Sequence, residues 1–299
     1  MNYIVLDLEW NSAYHKKEDR FINEIIQIGA VKLNENFEMI DTFKVYIKSA
    51  LSKKLSVRVI ELTGISNNQM SSGTSFENAV SLYNKWAGKD SITMTWSDSD
   101  LYALVENTRL FLDDRDMLRI EKYLDLQSYI QDVLKSRGHE IKNQISLANA
   151  ANMLGVSTSD LVLHDAVDDS LLASKLLKET FDKNRFELFI KDTTDPKFYK
   201  RLFFKSYYIS NISDERINKN HLKFNCIHCK NLLIRKNRWK FKNNWFRSDL
   251  YCKKCNVRFR GMVAFKQNFD KVAVKKRILP LTSENEVKNA DMQQLPEKM

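Results

Sequence analysis

The sequence predicts an α/β protein, a mixed sheet flanked by helices, with a small β-rich module toward its C-terminal end. Three observations lead there. Short apolar runs that read as strands crowd the first fifty residues, and helical periodicity dominates afterwards up to about residue 182. The charge changes sign along the chain. Residues 1–182 hold 20 Lys+Arg against 27 Asp+Glu, a net of −7, whereas residues 183–280 hold 26 against 7, a net of +19. Third, all 4 cysteines lie in the basic part. With 299 residues, 43% hydrophobic and 11% aromatic, the chain can bury packed cores, which excludes wholesale disorder. Its 7 Gly and 3 Pro exclude collagen-like sequence and Gly-rich linkers.

Tyr3–Leu8 is apolar on both faces and reads as a buried, central strand. Residues 24–33 and 41–48 read as two more, followed by a loop carrying Leu62-Thr-Gly-Ile65. Helical spacing runs from Phe76 to Ala87, then a strand at 91–96 and a helix from about Asp100 to Leu112. Tyr123–Leu126 is a short fifth strand, and helices follow near 127–137, 146–154 and 166–182. The expected organisation is a catalytic-type domain over 1–182, a packed helical connector over 183–211, a basic module over 212–280 and a polar, poorly ordered tail over 281–299. No run approaches 18 apolar residues, and the N-terminal Met-Asn-Tyr-Ile-Val-Leu-Asp lacks a basic n-region. Neither a membrane span nor a secretory signal is expected, and the expected compartment is the cytoplasm.

Three acidic segments stand out. Asp7 and Glu9 sit at i and i+2 of a strand, so their carboxylates share a face with Cα atoms about 7 Å apart. His164-Asp-Ala-Val-Asp-Asp169 opens an amphipathic helix. Ala166 and Ala173 flank Asp169 on its face and let the helix approach a sheet closely. Met94-Thr-Trp-Ser-Asp98-Ser-Asp100 runs from a strand into a helix, with Asp100 preferred inward and Asp98 as cap or bystander. Singly, each segment also fits a solvated turn, a cap or an exposed histidine. The choices between Asp98 and Asp100 and between Asp168 and Asp169 stay open by one step.

Cys226-x-x-Cys229 and Cys252-x-x-Cys255 are spaced as two turns that aim four thiolates at one tetrahedral Zn²⁺. Between them Arg235, Lys236, Arg238, Lys240, Lys242 and Arg247 interleave with Trp239, Phe241, Trp245 and Phe246, and Lys275-Lys-Arg277 extends the basic run. Cations at strand spacing suit phosphates and exposed rings suit base stacking, while the same rings serve equally well as the core of a small ribbon.

Taken together, Val5-Leu-Asp-Leu-Glu9, Glu24-Ile-Ile-Gln-Ile-Gly-Ala-Val31, Leu62-Thr-Gly-Ile65, Thr95-Trp96 through Asp100, and Ser146-Leu-Ala-Asn-Ala-Ala followed by His164 to Asp169 resemble the DEDDh 3′–5′ exonucleases of the ribonuclease-H-like fold. The resemblance is to the Eri/KapD-like branch, related to the polymerase proofreading subunit. It covers about residues 1–182 and leaves the cysteine module outside. Ser97 departs from it, since relatives often carry Gly there. The resemblance implies a ribonuclease-H-like mixed sheet and assigns Asp7 and Glu9 to the first motif, Asp100 to the second, and His164 with Asp169 to the third. Four such carboxylates suit two Mg²⁺ or Mn²⁺ ions, with His164 as general base toward a water. Trp10 is placed to stack on or wedge beside a terminal base, or else to face the core. The expected partner is single-stranded nucleic acid, RNA slightly favoured over DNA. Two rival readings are a non-catalytic nucleic-acid-binding protein on a nuclease scaffold and a zinc module that recruits a protein partner.

Overall fold

The computed structural model describes residues 2–112, 118–161 and 164–281, so the expected polar tail lies outside the described residues except for Leu281. The chain divides into two units, Met1–Leu202 and Phe203–Met299. In the first, β1 (Asn2–His15), β2 (Arg20–Leu33) and β3 (Met39–Tyr46) form an antiparallel meander. Short helices α1 (Val57–Thr63) and α2 (Asn67–Ser71) follow, then α3 (Phe76–Ala87), β4 (Ser91–Thr95), α4 (Asp98–Leu112), β5 (Lys122–Asp125), α5 (Leu126–Ser136), α6 (Leu147–Leu154) and α7 (Ala166–Thr180). α8 (Lys183–Phe189), β6 (Lys191–Asp192) and α9 (Pro196–Leu202) complete it. The sheet order is β3-β2-β1-β4-β5-β6. β4 runs parallel to β1, and β5 parallel to β4. This is the mixed sheet flanked by helices, of ribonuclease-H-like order, that the sequence predicts. β1 is central because Ile4, Val5, Leu6 and Leu8 are all buried, leaving neither face polar.

The structure differs from the expected elements in two places. β1 continues six residues past Glu9, since Ala13 pairs with Ile22 and Tyr14 with Phe21 in a long hairpin whose polar tip hides its strand character. The stretch read as a loop around Leu62 holds α1 and α2. Their signals are caps rather than periodicity: Ser56 and a left-handed Gly64 bound α1, and a Ser66/Gln69 capping box opens α2.

The β1–β2 ladder slips by one residue between Glu9 and Trp10, leaving Ile26 as the extra residue of a bulge in β2. The backbone beside the slip is satisfied from α4. The fully buried Asn107 accepts from the Ile25 N–H at 3.1 Å and donates to the Asn23 carbonyl at 2.8 Å. Glu24, also buried, accepts from the Ala50 and Leu51 N–H groups at 2.6 and 3.0 Å and so ties the following loop to the same place.

The second unit is an antiparallel sheet. It contains β7 (Tyr207–Tyr208), β8 (Ile234–Arg235), β9 (Lys240–Lys242), β10 (Trp245–Cys252), β11 (Val257–Gln267) and β12 (Val272–Pro280). The main order is β12-β11-β10-β8, with β9 also on β10 and β7 on β11. Phe246, Leu250, Phe259, Val263 and Phe265 project to one face and pack with Phe224, Leu233 and two of the cysteines. Phe246 is thus core, Trp239 packs at the edge of that core, and Phe241 is exposed. Among the described residues no helix is long and apolar enough to cross a membrane.

Replacing Asn107 by Ala strands one donor and one acceptor of β2 in the interior. The expected loss is about 2–4 kcal/mol, read from the urea midpoint at an unchanged slope.

Candidate active site

Asp7 and Glu9 come from β1, side by side as their i, i+2 spacing requires. Asp169 comes from the first turn of α7, which lies almost on the sheet. A Cβ built on Gly29 of β2 would sit 2.5 Å from the Ala166 carbonyl carbon and 2.6 Å from the Val167 nitrogen. Only glycine lets the helix come that close. The result is a cluster in which one ligand oxygen from each of Asp7, Glu9 and Asp169 lies within 4.8 Å of the others. Asp100 enters from α4. It is buried, and its Oδ1 accepts the Leu8 N–H at 3.2 Å, between the two acids of β1.

The turn that aims Asp100 is strained. Ser97 has φ 86°, in the left-handed region where glycine is favoured, so the serine that stands there is held against its own backbone preference. Its carbonyl receives the Thr95 and Tyr123 hydroxyls, the latter at 3.1 Å, and its Oγ accepts the Ser99 N–H at 3.2 Å as α4 begins. Asp98, in the same turn, lies 3.7 Å from Lys191 in an ion pair. His164 is also left-handed, at φ 67°, and exposed. Its backbone N–H donates to Asp169, which leaves the imidazole on the loop just ahead of α7. Asp165 caps α7 by accepting the Val167 N–H at 3.0 Å and pairs with Lys44 of β3. Trp10 is half-buried at the bulge.

The electrostatics are those of acids crowded without a counter-charge. Burial, then Asp100 and Glu9, push Asp7 far above the ordinary carboxylate range. Burial and Asp169 raise Glu9 to about 8. Burial raises Asp100 to about 7 against the pull of the Leu8 N–H. Asp169 is also raised by burial, and the neighbouring His164 opposes that rise. A set of hard oxygen donors that holds its own protons in this way fits divalent cations such as Mg²⁺ or Mn²⁺.

Sequence reasoning assigned no role to Gln27 or Gly29. Gln27 pairs across the ladder with Glu9, is buried, and takes the Ala166 N–H at 3.4 Å while its Nε2 has no partner among the described residues. The signal available was their place in the strand beside the acids.

In the second unit the Sγ atoms of Cys226, Cys229, Cys252 and Cys255 gather within 4.8 Å. Cys226 and Cys255 are 3.9 Å apart, and Cys229 and Cys252 3.4 Å. A zinc tetrahedron with bonds of about 2.3 Å sets sulfur separations of about 3.8 Å. Burial raises the Cys226 thiol, but the backbone N–H groups of Cys229 and His228 aim at its sulfur and, with the other thiols, bring it down to about 6. The donor set fits a structural Zn²⁺.

An acid cluster on the central strand of such a sheet, completed by acids from two helices, defines a nuclease of the ribonuclease-H-like class. The sequence pattern of the RNase_T exonuclease family matches residues 4–177, and the chain belongs to that family, the DEDDh 3′–5′ exonucleases. It is 26% identical over 181 residues to the probable 3′-5′ exonuclease KapD of Bacillus subtilis strain 168, covering 58% of this chain and 82% of KapD. It is 25% identical over 222 residues to the PolC-type DNA polymerase III of Clostridium perfringens strain 13. That match covers 74% of this chain but spans only 13% of the polymerase. Among solved structures, the nuclease domain of 3′hExo, a DEDDh family member bound to rAMP, shares the fold with a TM-score of 0.51 and 21% identity, over 59% of this chain and 90% of that one. Cell-death related nuclease 4 does so at 0.51 and 16%, over 71% and 69%.

Gly29→Ala should push α7 off the sheet, with an expected cost of about 1–3 kcal/mol in stability and a loss of about 100-fold in turnover. A second expectation concerns pH. In metal-free buffer the folded acids keep protons that the unfolded chain releases above about pH 4, so the native state binds more protons up to about pH 8. Stability then falls as pH rises through that window, and a melting series from pH 5 to 8 should show a declining Tm. Asp100→Asn should flatten the decline, and added Mn²⁺ should reverse it in the wild type.

Proposed function

We propose that the chain is a metal-dependent 3′–5′ exonuclease that releases nucleoside monophosphates from single-stranded RNA or DNA. The convergence of Asp7, Glu9 and Asp169, with Asp100 on the backbone between the first two, carries this reading. Those four carboxylates would hold two Mg²⁺ or Mn²⁺ ions, which supply a polarised water and charge stabilisation at the leaving oxygen. His164, on the exposed loop ahead of α7, takes a proton from the water oxygen as that oxygen bonds to phosphorus. The P–O3′ bond breaks, the shortened strand keeps its 3′-hydroxyl with a proton from solvent, and a nucleoside 5′-monophosphate leaves. The half-buried Trp10, next to Glu9, packs beside the terminal base. The rAMP held by the 3′hExo nuclease domain supports a monophosphate product and favours RNA slightly over DNA.

In the second unit one Zn²⁺ on Cys226, Cys229, Cys252 and Cys255 would tie the knuckles together and substitute for a larger core. Among the cations between them, Arg235, Lys236, Arg238, Lys240 and Lys242 are exposed and Arg247 is half-buried, an arrangement suited to phosphates. Four thiols without a disulfide suit a reducing compartment such as the cytoplasm.

The test is degradation of 3′- and 5′-labelled RNA and DNA strands with Mg²⁺ or Mn²⁺. The expected result is stepwise loss from the 3′ end. Asp100→Asn should abolish release, and His164→Ala should slow it about 10²–10⁴-fold. A His164→Ala protein that matches the wild type would remove the histidine from the chemistry. Shortening from the 5′ end would overturn the polarity.

A further inference from the structure

The register of the second unit sorts its cations in a way their sequence order does not. On β10, Phe246, Ser248, Leu250 and Cys252 are buried and alternate with half-exposed Trp245, Arg247, Asp249 and Tyr251. The buried set faces the core, so the other set lies on the opposite face of the sheet. Arg247 stands opposite Lys240 on one side and Met262 on the other, and Met262 stands opposite Arg277. Two residues along, Trp245 is opposite Lys242, and Lys275 is opposite Ala264. The Arg277 guanidinium lies 5.3 Å from the centre of the Trp245 ring, which places these rows on one surface. Lys276, between Lys275 and Arg277, is opposite the buried Val263 instead, and its Nζ is turned to the Phe224 ring and the Lys223 carbonyl.

This outer face is therefore a band of arginines and lysines crossing neighbouring strands. Asp249 is the one acid among the described strand residues on it, already engaged by Arg260 at 3.1 Å and Asn237 at 2.8 Å. Like charges directly opposite one another, as Lys240 and Arg247 are, oppose folding unless a polyanion neutralises them. Trp245 and Tyr251, with Lys236 4.8 Å over the latter, add half-exposed ring surface to the same side. Among the described residues this unit has no α-helix to enter a duplex groove. Flat ring faces set among cations match unpaired bases and their phosphates.

We infer that this outer face, running from Lys240 and Lys242 across Arg247 and Trp245 to Lys275 and Arg277, is a docking surface for single-stranded nucleic acid. The inference rests on the nucleic-acid reading above and names the surface that serves it.

The whole 299-residue chain is titrated with a fluorescein-labelled 12-mer single strand across a salt series in metal-free buffer, so that nothing is degraded. The double variant Lys275→Gln/Arg277→Gln should weaken binding and reduce the slope of log K against log salt by about 1.4, two phosphate contacts at about 0.7 each. Lys219→Gln/Lys276→Gln removes the same charge from two exposed residues, Lys276 at a core-facing strand position and Lys219 on the turn whose His221 packs against the core residue Phe265, and should leave the slope unchanged. Equal weakening by both variants would mean that net charge alone attracts the strand, and no change in either would mean that the strand binds elsewhere. Each overturns the surface, as does a duplex that binds as tightly and loses as much. Circular dichroism on both variants confirms that they are folded. The exonuclease reading is scored separately, on whether the wild type shortens the strand once Mg²⁺ is added.

Discussion

The contact between Gly29 and Ala166 is the constraint on which the geometry of the acid cluster depends. An α-helix and a sheet ordinarily keep a side chain's distance between their backbones. Here two missing or minimal side chains remove that spacer, and the first turn of α7 comes down onto β2. Asp169 reaches Glu9 and Asp7 only because of that descent. A looser packing would part Asp169 from the two acids of β1 and take its charge out of their surroundings. Close packing turns them into one group whose members cannot all ionise together.

Around that contact the structure applies the same device repeatedly, using a buried polar side chain to complete a backbone that regular pairing leaves unfinished. Asn107 serves β2 beside the bulge, Glu24 the loop at 49–51, and Asp100 the Leu8 amide. The last of these holds an acid at the site and the central strand at once. Asp100 is thereby fixed by the backbone of the ladder rather than left to a flexible rotamer, which holds its carboxylate in one place beside Asp7 and Glu9.

Much of this was legible in the residues. The strands at 3–8 and 24–33 and the helix at 76–87 follow from apolar runs and periodicity because burial dictates them. The acids were legible through their spacing, since i, i+2 on a strand and the first turn of a helix leave few places for a side chain to go. What stayed hidden has physical causes. The β1 extension is polar at its tip, and α1 and α2 are too short to bury a stripe. Asp98 and Asp100 are separated by less than a helical turn, and the strained Ser97 hinge decides which points to β1. In the second unit, composition showed the charge, while the sorting of Lys275, Lys276 and Arg277 onto opposite faces needed the register.

The slip between Glu9 and Trp10 carries a further consequence. A β-hairpin transmits changes along its length, because one residue added to either strand inverts every side chain beyond it. The bulge at Ile26 is a place where that transmission has already been interrupted and the ladder restarted, with Asn107 holding the restart in place. The tip of the arm, residues 12–22, beyond Trp10 and the Asn107 contacts at Asn23 and Ile25, is thus set off from the acids that precede it. It can lengthen, shorten or change its exposed residues, such as Tyr14 and Phe21, while Asp7 and Glu9 keep their facing. One strand in this way joins two stretches under different physical constraints, the acid-bearing end and the arm beyond the bulge.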